Sequence, residues 1–505
     1  MRHIHEAGGA AEVYSPAEEQ FNRRRRTAGL FAGPLVLAVI LLLPTTLTPP
    51  AQRLGAILAM MVVLWVTEAL PLAVTALIGP VLTIVLGVAP AREAFAAFAD
   101  PIIFLFIGSF MLAEAMFVHG LDRRMAFAAL SWKAVGGSPL RILAVFGGVA
   151  AAISMWISNT ATTAMMFPIG LSIVAHLTAG RESDRASREF ARAMMLIAAF
   201  GASVGGIATP IGTPPNLIGI GMLARIAGVE ISFFHWMFLG LPIVVVLFAF
   251  LILSFAPGLR GLRFAGAGTE RIRDELRRLG PVSAGQRNVL LAFGITVALW
   301  LFPGVLAIVG LGNSALSRGY DRLVPESAAA MIGALLLFVL PVSWRSRRFT
   351  LTWEEAVRID WGIILLFGGG LALGEMAFST GLAGSIGTGI AGLLPVRSES
   401  SLTILFTAVA ILTSEAASNT ASANMIVPVA IAVAQAAGIS PLEPALGATL
   451  GASMGFMLPI STPPNAIVYS SGYVPITAMM RKGIALDVAG FVAIVVLVRL
   501  LAGWI

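Results

Sequence analysis

The sequence contains no cysteine among its 505 residues, and charged residues make up only 12% of it. The absence of cysteine excludes disulfide bonds and thiolate chemistry, whether metal-binding or redox. An ordinary soluble domain is roughly a quarter charged. Hydrophobic residues account for 58% of the chain, and the mean hydropathy is +0.90. This composition predicts an integral membrane protein whose apolar runs suit helices of about 20 residues and not barrel strands.

No apolar stretch precedes residue 28, where a signal peptide would need one. Residues 1–27 are polar and include four consecutive arginines, Arg23–Arg26. We therefore expect a cytoplasmic amino-terminal tail. The formal net charge of +7 raises the possibility of nucleic-acid binding. However, the basic residues lie mostly between apolar runs, which predicts a role in membrane topology and no nucleic-acid partner.

The apolar runs predict an all-α polytopic membrane protein with about eleven transmembrane helices. These lie near residues 28–46, 54–71, 72–89, 100–120, 188–226, 236–256, 287–309, 325–342, 360–379, 444–477 and 483–503. Two further segments, 140–178 and 401–436, have apolar arms on both sides of a polar motif. Irregular backbone at membrane depth is tolerated where it lines a cavity, so both segments are predicted to be re-entrant hairpins.

The polar motifs occur twice and in the same order. Ser154, Ser158, Asn159 and Thr160 belong to an S-x-x-x-S-N-T-A motif, which recurs 260 residues later with Ser414, Ser418, Asn419 and Thr420. Each copy has a companion downstream, at Gly212-Thr213-Pro214-Pro215-Asn216 and at Ser461-Thr462-Pro463-Pro464-Asn465. Paired prolines interrupt a helix. We therefore predict that the spans 188–226 and 444–477 are broken helices.

The distribution of positive charge supports this topology. Of the 33 Lys and Arg residues, 26 fall in segments that it places in the cytoplasm, as the positive-inside rule requires. Five spans separate the two hairpins, and an odd number inverts their direction. Residues 28–256 and 287–505 are thus predicted to be two inverted repeats, joined by a basic cytoplasmic linker at 257–286. Inverted repeats with broken helices are typical of secondary transporters, here expected in the inner (plasma) membrane.

The duplicated motifs offer two kinds of binding chemistry. Hydroxyl, carboxamide and carbonyl oxygens suit a hard cation such as sodium. Amide donors and helix amino termini suit the oxygens of an anion. The motifs contain no Lys or Arg. A bound anion would therefore need cations beside it, which predicts that the two are coupled.

At these motifs the chain resembles the divalent anion:sodium symporter family. The resemblance runs from about residue 28 onward and includes both S-N-T motifs, both T-P-P-N motifs and Thr67-Glu68-Ala69-Leu70-Pro71. It implies a homodimer in the lipid membrane, in which a scaffold holds a transport domain that moves as an elevator.

The resemblance also implies specific site residues. A first sodium ion would be bound by Ser154, Ser158, Asn159 and the Gly212 carbonyl, and a second by Ser414, Ser418, Asn419 and the Ser461 carbonyl. A small anionic substrate would contact Asn159, Thr160, Thr213, Asn419, Thr420 and Thr462. Ser414 stands where the family pattern has threonine, and Ser461 where it has a smaller residue. Both substitutions keep oxygen ligands for sodium.

We therefore hypothesise sodium-coupled symport of small di- or tricarboxylates of the succinate, malate, fumarate and citrate class. Two alternatives are a sodium-independent dicarboxylate exchanger and a transporter of sulfate or another inorganic anion. A channel is disfavoured because no ring of pore-lining charges is evident. The chain is not predicted to be an enzyme, because neither S-N-T copy has a His or Lys beside it to form a nucleophile–base pair. Glu415 has Met155 as its counterpart, which places it outside the duplicated core.

Overall fold

The computed structural model describes residues 16–131, 138–178, 184–259, 262, 268–393 and 398–504. Almost all the regular structure in these ranges is helical. The first half contains α1 (Pro16–Leu42), α2 (Pro49–Thr67), α3 (Leu72–Val85), α4 (Ala91–Ala94), α5 (Pro101–Val118), α6 (Leu121–Leu130), α7 (Pro139–Ser154), α8 (Asn159–Leu177), α9 (Arg185–Gly205), α10 (Pro214–Met222) and α11 (Phe233–Phe255). A π-helical turn, Leu223–Ala227, continues α10.

The second half contains twelve further α-helices among the described residues. It contains α12 (Gly268–Arg278), α13 (Ala284–Ile308), α14 (Ala315–Leu323), α15 (Glu326–Val339), α16 (Trp353–Ala356), α17 (Trp361–Ser379), α18 (Leu382–Leu393), α19 (Glu399–Ala416), α20 (Asn419–Ala436), α21 (Leu442–Gly451), α22 (Pro463–Tyr469) and α23 (Ile476–Leu501). Between α15 and α16, the strands β1 (Pro341–Ser343) and β2 (Arg348–Phe349) form an antiparallel hairpin with Pro341 opposite Phe349. This hairpin and the short helices α4, α14, α16 and α18 were not among the predicted elements.

Eight helices in the described residues are long and apolar enough to cross a membrane, or nine if the bent pair of α14 and α15 forms one span. Seven of the eight coincide with predicted spans, and the eighth is α8, the second arm of the first predicted hairpin. The other predicted spans are too short, too charged or interrupted. α15 has only 14 residues, and α9 is 21 residues long but carries four charged residues among its first eight. α3 has only 14 residues, and the segments at 188–226 and 444–477 are interrupted, as their proline pairs predicted. The number of crossings stays a prediction.

Equivalent helices in the two halves begin in the same way. Asp100 caps α5 by accepting a hydrogen bond from the Ile102 amide at 2.9 Å. Asp360, 260 residues later, caps α17 by accepting one from the Ile363 amide at 3.3 Å. A carboxylate at this position satisfies an amide that has no partner within the helix. The repeat therefore extends well beyond the S-N-T motifs.

The hairpins and broken helices of both halves pack together. α7 and α8 contact α9, and α19 and α20 contact α21. Across the halves, α9 contacts α22 and α10 contacts α20, and the rings of Phe200 and Phe456 meet with centroids 5.1 Å apart. A separate set of contacts joins α5 to α15 and α17 to α3. The polar motifs of both halves thus lie within one packed group of helices.

Small residues permit this close packing at equivalent points. A Cβ at Gly201 would lie 3.1 Å from the carbonyl oxygen of Gly147, which is close enough to force a shift. In the second half a Cβ at Gly451 would lie 2.8 Å from the carbonyl oxygen of Thr407. Residues 147 and 407 are again 260 positions apart. Backbones that approach this closely are typical of helix contacts within membranes.

Candidate functional site

The first S-N-T motif forms the tip of a helical hairpin, which we call the first tip (residues 154–160). α7 ends at Ser154 and α8 begins at Asn159. Ser158 caps α8 by accepting a hydrogen bond from the Ala161 amide at 3.3 Å. The Ser154 hydroxyl donates to Oδ1 of Asn159 at 2.7 Å. Ser, Asn and Thr interrupt the helix here because their side chains compete for backbone hydrogen bonds and favour amino-terminal caps.

The second tip (residues 414–420) has the same geometry. Ser418 caps α20 by accepting from the Ala421 amide at 3.2 Å, and the Ser414 hydroxyl interacts with Oδ1 of Asn419 at 2.8 Å. The Ser414 hydroxyl also lies 2.7 Å from the Ala452 carbonyl oxygen. Since both hydrogen bonds of the first tip recur in the second, the two tips present a similar set of oxygen atoms.

The asparagine of each T-P-P-N motif holds its broken helix in shape. Nδ2 of Asn216 donates to the carbonyl oxygens of Gly206 and Thr209 at 3.0 and 2.7 Å. Nδ2 of Asn465 donates to those of Gly455 and Leu458, both at 3.0 Å. These carbonyls belong to the segments we call the first break (206–213) and the second break (455–462). The asparagines satisfy backbone groups that a continuous helix would have paired internally.

Each tip touches the break of its own half. A side chain at Gly206 would collide with the carboxamide of Asn159, and a Cβ at Gly212 would lie 3.0 Å from the carbonyl oxygen of Met155. In the second half a Cβ at Gly455 would lie 2.9 Å from Oδ1 of Asn419. The predicted ligands Ser154, Asn159 and Gly212 are therefore close together, as are Ser414 and Asn419. Ser154 and Ser414 are fully buried.

A cavity of about 1640 Å³ lies between the two tips. All six residues predicted to contact the substrate line it, together with Ser158, Ser418 and Ser461. Those six are Asn159, Thr160, Thr213, Asn419, Thr420 and Thr462. The amino termini of α8 and α20 both face this cavity, because their first residues line it. The structure thus brings residues from both repeats into one polar chamber.

Charged residues are confined to one end of the cavity. Arg123, His176, Arg358 and Asp360 line that end and are exposed, and Glu114 and Glu275 line it and are half-buried. The polar tip residues that line the cavity are also half-buried. Asp122 also lines it, and burial raises the pKa of the Asp122 carboxyl above its ordinary value. No Lys or Arg lines the cavity at the tips themselves among the residues described. The arginines at the mouth were not identified from the sequence, since they lie in segments assigned to loops.

Glu415, which has no counterpart in the first half, contacts the second break. Its Oε1 accepts hydrogen bonds from the amides of Phe456 and Met457 at 2.6 and 2.8 Å. Its Oε2 accepts one from the hydroxyl of Ser461 at 2.6 Å. Glu415 therefore ties the second tip to the second break, and Ser461 directs its hydroxyl toward this carboxylate. A carboxylate inside an apolar hairpin is itself a signal of function, but the comparison with Met155 excluded it.

Comparison with known proteins assigns the chain to a family. A family model described as "Sodium:sulfate symporter transmembrane region" matches residues 24–505. The chain belongs to that family. The resemblance inferred from the motifs is thereby confirmed.

Individual relatives cover nearly the whole chain. A protein of Staphylococcus saprophyticus named "Sodium-dependent dicarboxylate transporter SdcS" is 33% identical over 481 residues, which is 94% of this chain and 91% of the relative. Its namesake in Staphylococcus aureus (strain USA300) is 32% identical over 93% of this chain and 90% of the relative. An "Uncharacterized transporter" of Haemophilus influenzae is 32% identical over 94% of this chain and 96% of the relative. This chain of the sodium:sulfate symporter family is therefore a membrane transporter and not an enzyme.

A solved structure shares the fold. The YdaH transporter of Alcanivorax borkumensis, described as having an unusual topology, superposes with a TM-score of 0.55 over 90% of this chain and 99% of that one. The sequence identity is 13%, so the likeness concerns the fold alone. The predicted all-α polytopic class is confirmed for this family member.

Proposed function

We propose that the protein is a secondary active transporter that couples sodium to the symport of small di- or tricarboxylates. The observation that carries the proposal is the cavity between the two tips. Both repeats line it with amides and hydroxyls, and no basic side chain of the described residues lines it at the tips. Burying an anion without a counter-charge costs several kcal/mol. The names of the staphylococcal relatives point to the same substrate class and to sodium.

The substrate carboxylates bind at the two helix amino termini. Asn159 and Thr160 open α8, and Asn419 and Thr420 open α20. The first amides of a helix have no partner within it, and the helix dipole favours negative charge there. Two such termini facing one cavity suit a molecule with two carboxylates. Thr213 and Thr462, each just before a proline pair, complete the contacts.

Two sodium ions supply the positive charge, one for each tip. The first is held by Ser154, Ser158, Asn159 and the Gly212 carbonyl, and the second by Ser414, Ser418, Asn419 and the Ser461 carbonyl. Oxygen-only ligand sets of this kind suit a hard cation. Each Asn would contact both a cation and the anion. Asn159 and Asn419 line the cavity, and each accepts a hydrogen bond from a serine hydroxyl that is itself a proposed sodium ligand.

The transport cycle moves the packed group of hairpins and broken helices against the remaining helices as an elevator. With the amino terminus in the cytoplasm, the carboxyl end of α5 and the amino end of α17 lie on the cytoplasmic side. The charged mouth of the cavity is formed at these ends, so the conformation is inward-open. The protein acts as a homodimer in the plasma membrane, with its two repeats in inverted orientation.

Sulfate is a second candidate substrate, favoured by the description of the family. A cavity of about 1640 Å³ is large for a single inorganic anion, and two helix amino termini that both line it suit a dianion with two separate carboxylates. Sodium-independent exchange of dicarboxylates is the third possibility. The three candidate functions differ in their substrate and in whether uptake depends on a sodium gradient.

Uptake into proteoliposomes separates these functions. Purified protein is reconstituted, and uptake of labelled succinate and labelled sulfate is measured with an inward gradient of sodium or of potassium. We expect sodium-dependent uptake of succinate that exceeds uptake of sulfate. Succinate uptake that needs internal dicarboxylate and ignores sodium would establish the exchanger. Sulfate uptake alone would establish the inorganic-anion transporter.

A further inference from the structure

The carboxylate of Glu415 has a neighbour of the same charge. Asp487 lies near the middle of α23, is only 5% exposed, and interacts electrostatically with Glu415. Among the described residues, no N–H or hydroxyl group donates a hydrogen bond to either oxygen of Asp487, and the group within hydrogen-bonding range of it is the carboxylate of Glu415. Glu415, by contrast, accepts three hydrogen bonds through its carboxylate. Asp487 is therefore an unsatisfied acid beside a satisfied one.

The packing of α23 directs Asp487 toward the second break. Gly483 and Gly490 flank it at positions four before and three after, so all three share one helix face. A side chain at Gly483 would collide with the carbonyl of Phe456, and one at Gly490 with the side chain of Met454. The helix is thus pressed against the segment that Glu415 holds. Asp487 lies in this contact, between the two glycines.

Two ionised carboxylates accept hydrogen bonds and donate none. When buried together they repel each other unless a cation lies between them or one carries a proton. Among the described residues, neither carboxylate has a Lys, Arg or His within salt-bridge distance. Lys482, on the same helix, donates instead to the Ser254 carbonyl. The charge of the pair is therefore not offset by the part of the protein that the structure describes.

The arrangement belongs to one half of the chain only. Met155 occupies the position of Glu415 in the first half, and α11, the counterpart of α23, contains no acidic residue. A site here is consequently additional to the two that the repeat generates. The atoms available as ligands in this site are carboxylate oxygens and the nearby Phe456 carbonyl oxygen, which suit a hard cation.

We propose that Glu415 and Asp487 bind a third sodium ion behind the second tip. This inference rests on the proposed sodium coupling and extends it from two ions to three. Because Glu415 also binds Ser461, occupancy by sodium would set the shape of the second break and, through it, the second tip. The third ion is thereby linked to the anion site without touching the substrate.

Counting the coupled ions tests the proposal. The equilibrium accumulation of succinate is measured in proteoliposomes at zero membrane potential, with a sodium gradient of about tenfold. Each coupled ion contributes one further factor of the gradient, so loss of one ion lowers accumulation by about tenfold. We expect three coupled ions for the wild type and two for Asp487→Asn. Glu443→Gln, at a buried acid that pairs with Arg499 at 2.9 Å, is the matched control and should keep three.

The Asp487→Asn variant distinguishes a sodium ion bound by the two carboxylates from a proton shared between them. An amide can donate to Glu415 as a protonated Asp487 would, so a shared proton predicts that Asp487→Asn keeps the wild-type count. That result, or a wild-type count of two, would overturn the proposal. The wild-type count needs no variant, so the test survives if Asp487→Asn does not fold. Failure of the proposed function looks different, because the wild type itself would then show no dependence on sodium.

A second readout does not require transport. Sodium that binds only the folded protein raises its unfolding temperature. With no substrate present, we expect sodium to stabilise wild type and Glu443→Gln more than Asp487→Asn, with potassium as the reference salt. Equal stabilisation of all three proteins would contradict a sodium site at Asp487.

Discussion

Nε of Arg225 lies 2.5 Å from Oδ2 of Asp100, and 3.8 Å from Oε1 of Glu375. Arg225 follows the broken helix α10, whereas Asp100 immediately precedes α5 and Glu375 lies on α17. The carboxylate of Asp100 is buried, at 3% exposure. This cluster is at the opposite end of α5 and α17 from the cavity mouth. It therefore joins the two groups of helices at a distance from that mouth.

Breaking this ion pair should weaken the conformation in which the cavity is open at its charged end. An ion pair with one half-exposed partner is worth about 1 kcal/mol, which corresponds to roughly a fivefold change in the ratio of the two conformations. Ser470 lines the cavity, and the chain has no native cysteine. In Ser470→Cys protein, we expect Arg225→Gln to slow maleimide labelling several-fold.

The matched control is Arg499→Gln, which breaks the ion pair between Arg499 and Glu443 at 2.9 Å. Glu443 lies on α21 and Arg499 on α23, and both helices pack directly against α19 of the second hairpin. Labelling of the Ser470→Cys thiol should then be unchanged. Equal labelling in the Arg225 and Arg499 variants would show that the Asp100 contact does not bias the conformation.

The amide groups at the two tips are predicted to be essential for transport. Asn159→Ala and Asn419→Ala each remove an amide that lines the cavity and accepts a serine hydroxyl. Losing one hydrogen bond to a charged partner costs about 1.5–3 kcal/mol, so uptake should fall at least about tenfold. Asn288→Ala, which loses contacts to Pro341 and Thr350 outside the cavity, should transport normally. Near-normal uptake by either tip variant at saturating sodium would remove that residue from the site.

The orientation in the membrane can be tested at the two ends of α13. Val282 precedes this helix and Leu311 follows it, and both side chains are exposed. With the amino terminus in the cytoplasm, an impermeant thiol reagent should label Leu311→Cys in intact cells. It should label Val282→Cys only after the membrane is permeabilised. The reverse pattern would overturn the topology and, with it, the inward-open assignment.

The serines that cap α8 and α20 should affect sodium more than the anion. Ser158→Ala and Ser418→Ala each remove a proposed sodium ligand and a helix cap, the latter worth about 1 kcal/mol. We expect the sodium concentration for half-maximal uptake to rise by about tenfold, equivalent to roughly 1.4 kcal/mol. Succinate affinity at saturating sodium should change less.

Ser314→Ala provides the comparison for these two variants. Ser314 caps α14 by accepting from the Ser317 amide at 3.1 Å, and it does not line the cavity. Its loss removes a cap alone, so the sodium dependence should stay that of the wild type. An equal shift in this variant would mean that the sodium effect reflects helix stability and not a ligand.

The sequence was sufficient to locate the tips and breaks because they depend on local chemistry. Proline pairs end helices and short polar side chains cap them, so the hairpins at 140–178 and 401–436 could be predicted to within a few residues. The duplication then indicated which polar residues belong together. Long apolar helices such as α5 and α17 followed from composition alone.

Contacts between distant residues could not be derived in this way. Glu415 meets Phe456 and Ser461 more than 40 residues away, and Arg225 meets Asp100 at a separation of 125. Nothing in the neighbouring sequence specifies such partners. The repeat also misled in one respect, because a residue present in only one half was set aside. Glu415 is that residue, since Met155 occupies its position in the first half.

The most direct test of the central claim is substrate binding across a sodium titration. Succinate affinity of the purified wild-type protein is measured from zero to saturating sodium, with potassium or choline maintaining the ionic strength. Because no basic side chain lines the cavity at the tips among the described residues, bound sodium must offset the charge of the dianion. The account predicts that affinity rises steeply with sodium and that lithium substitutes poorly. Equal affinity in sodium-free buffer would contradict it.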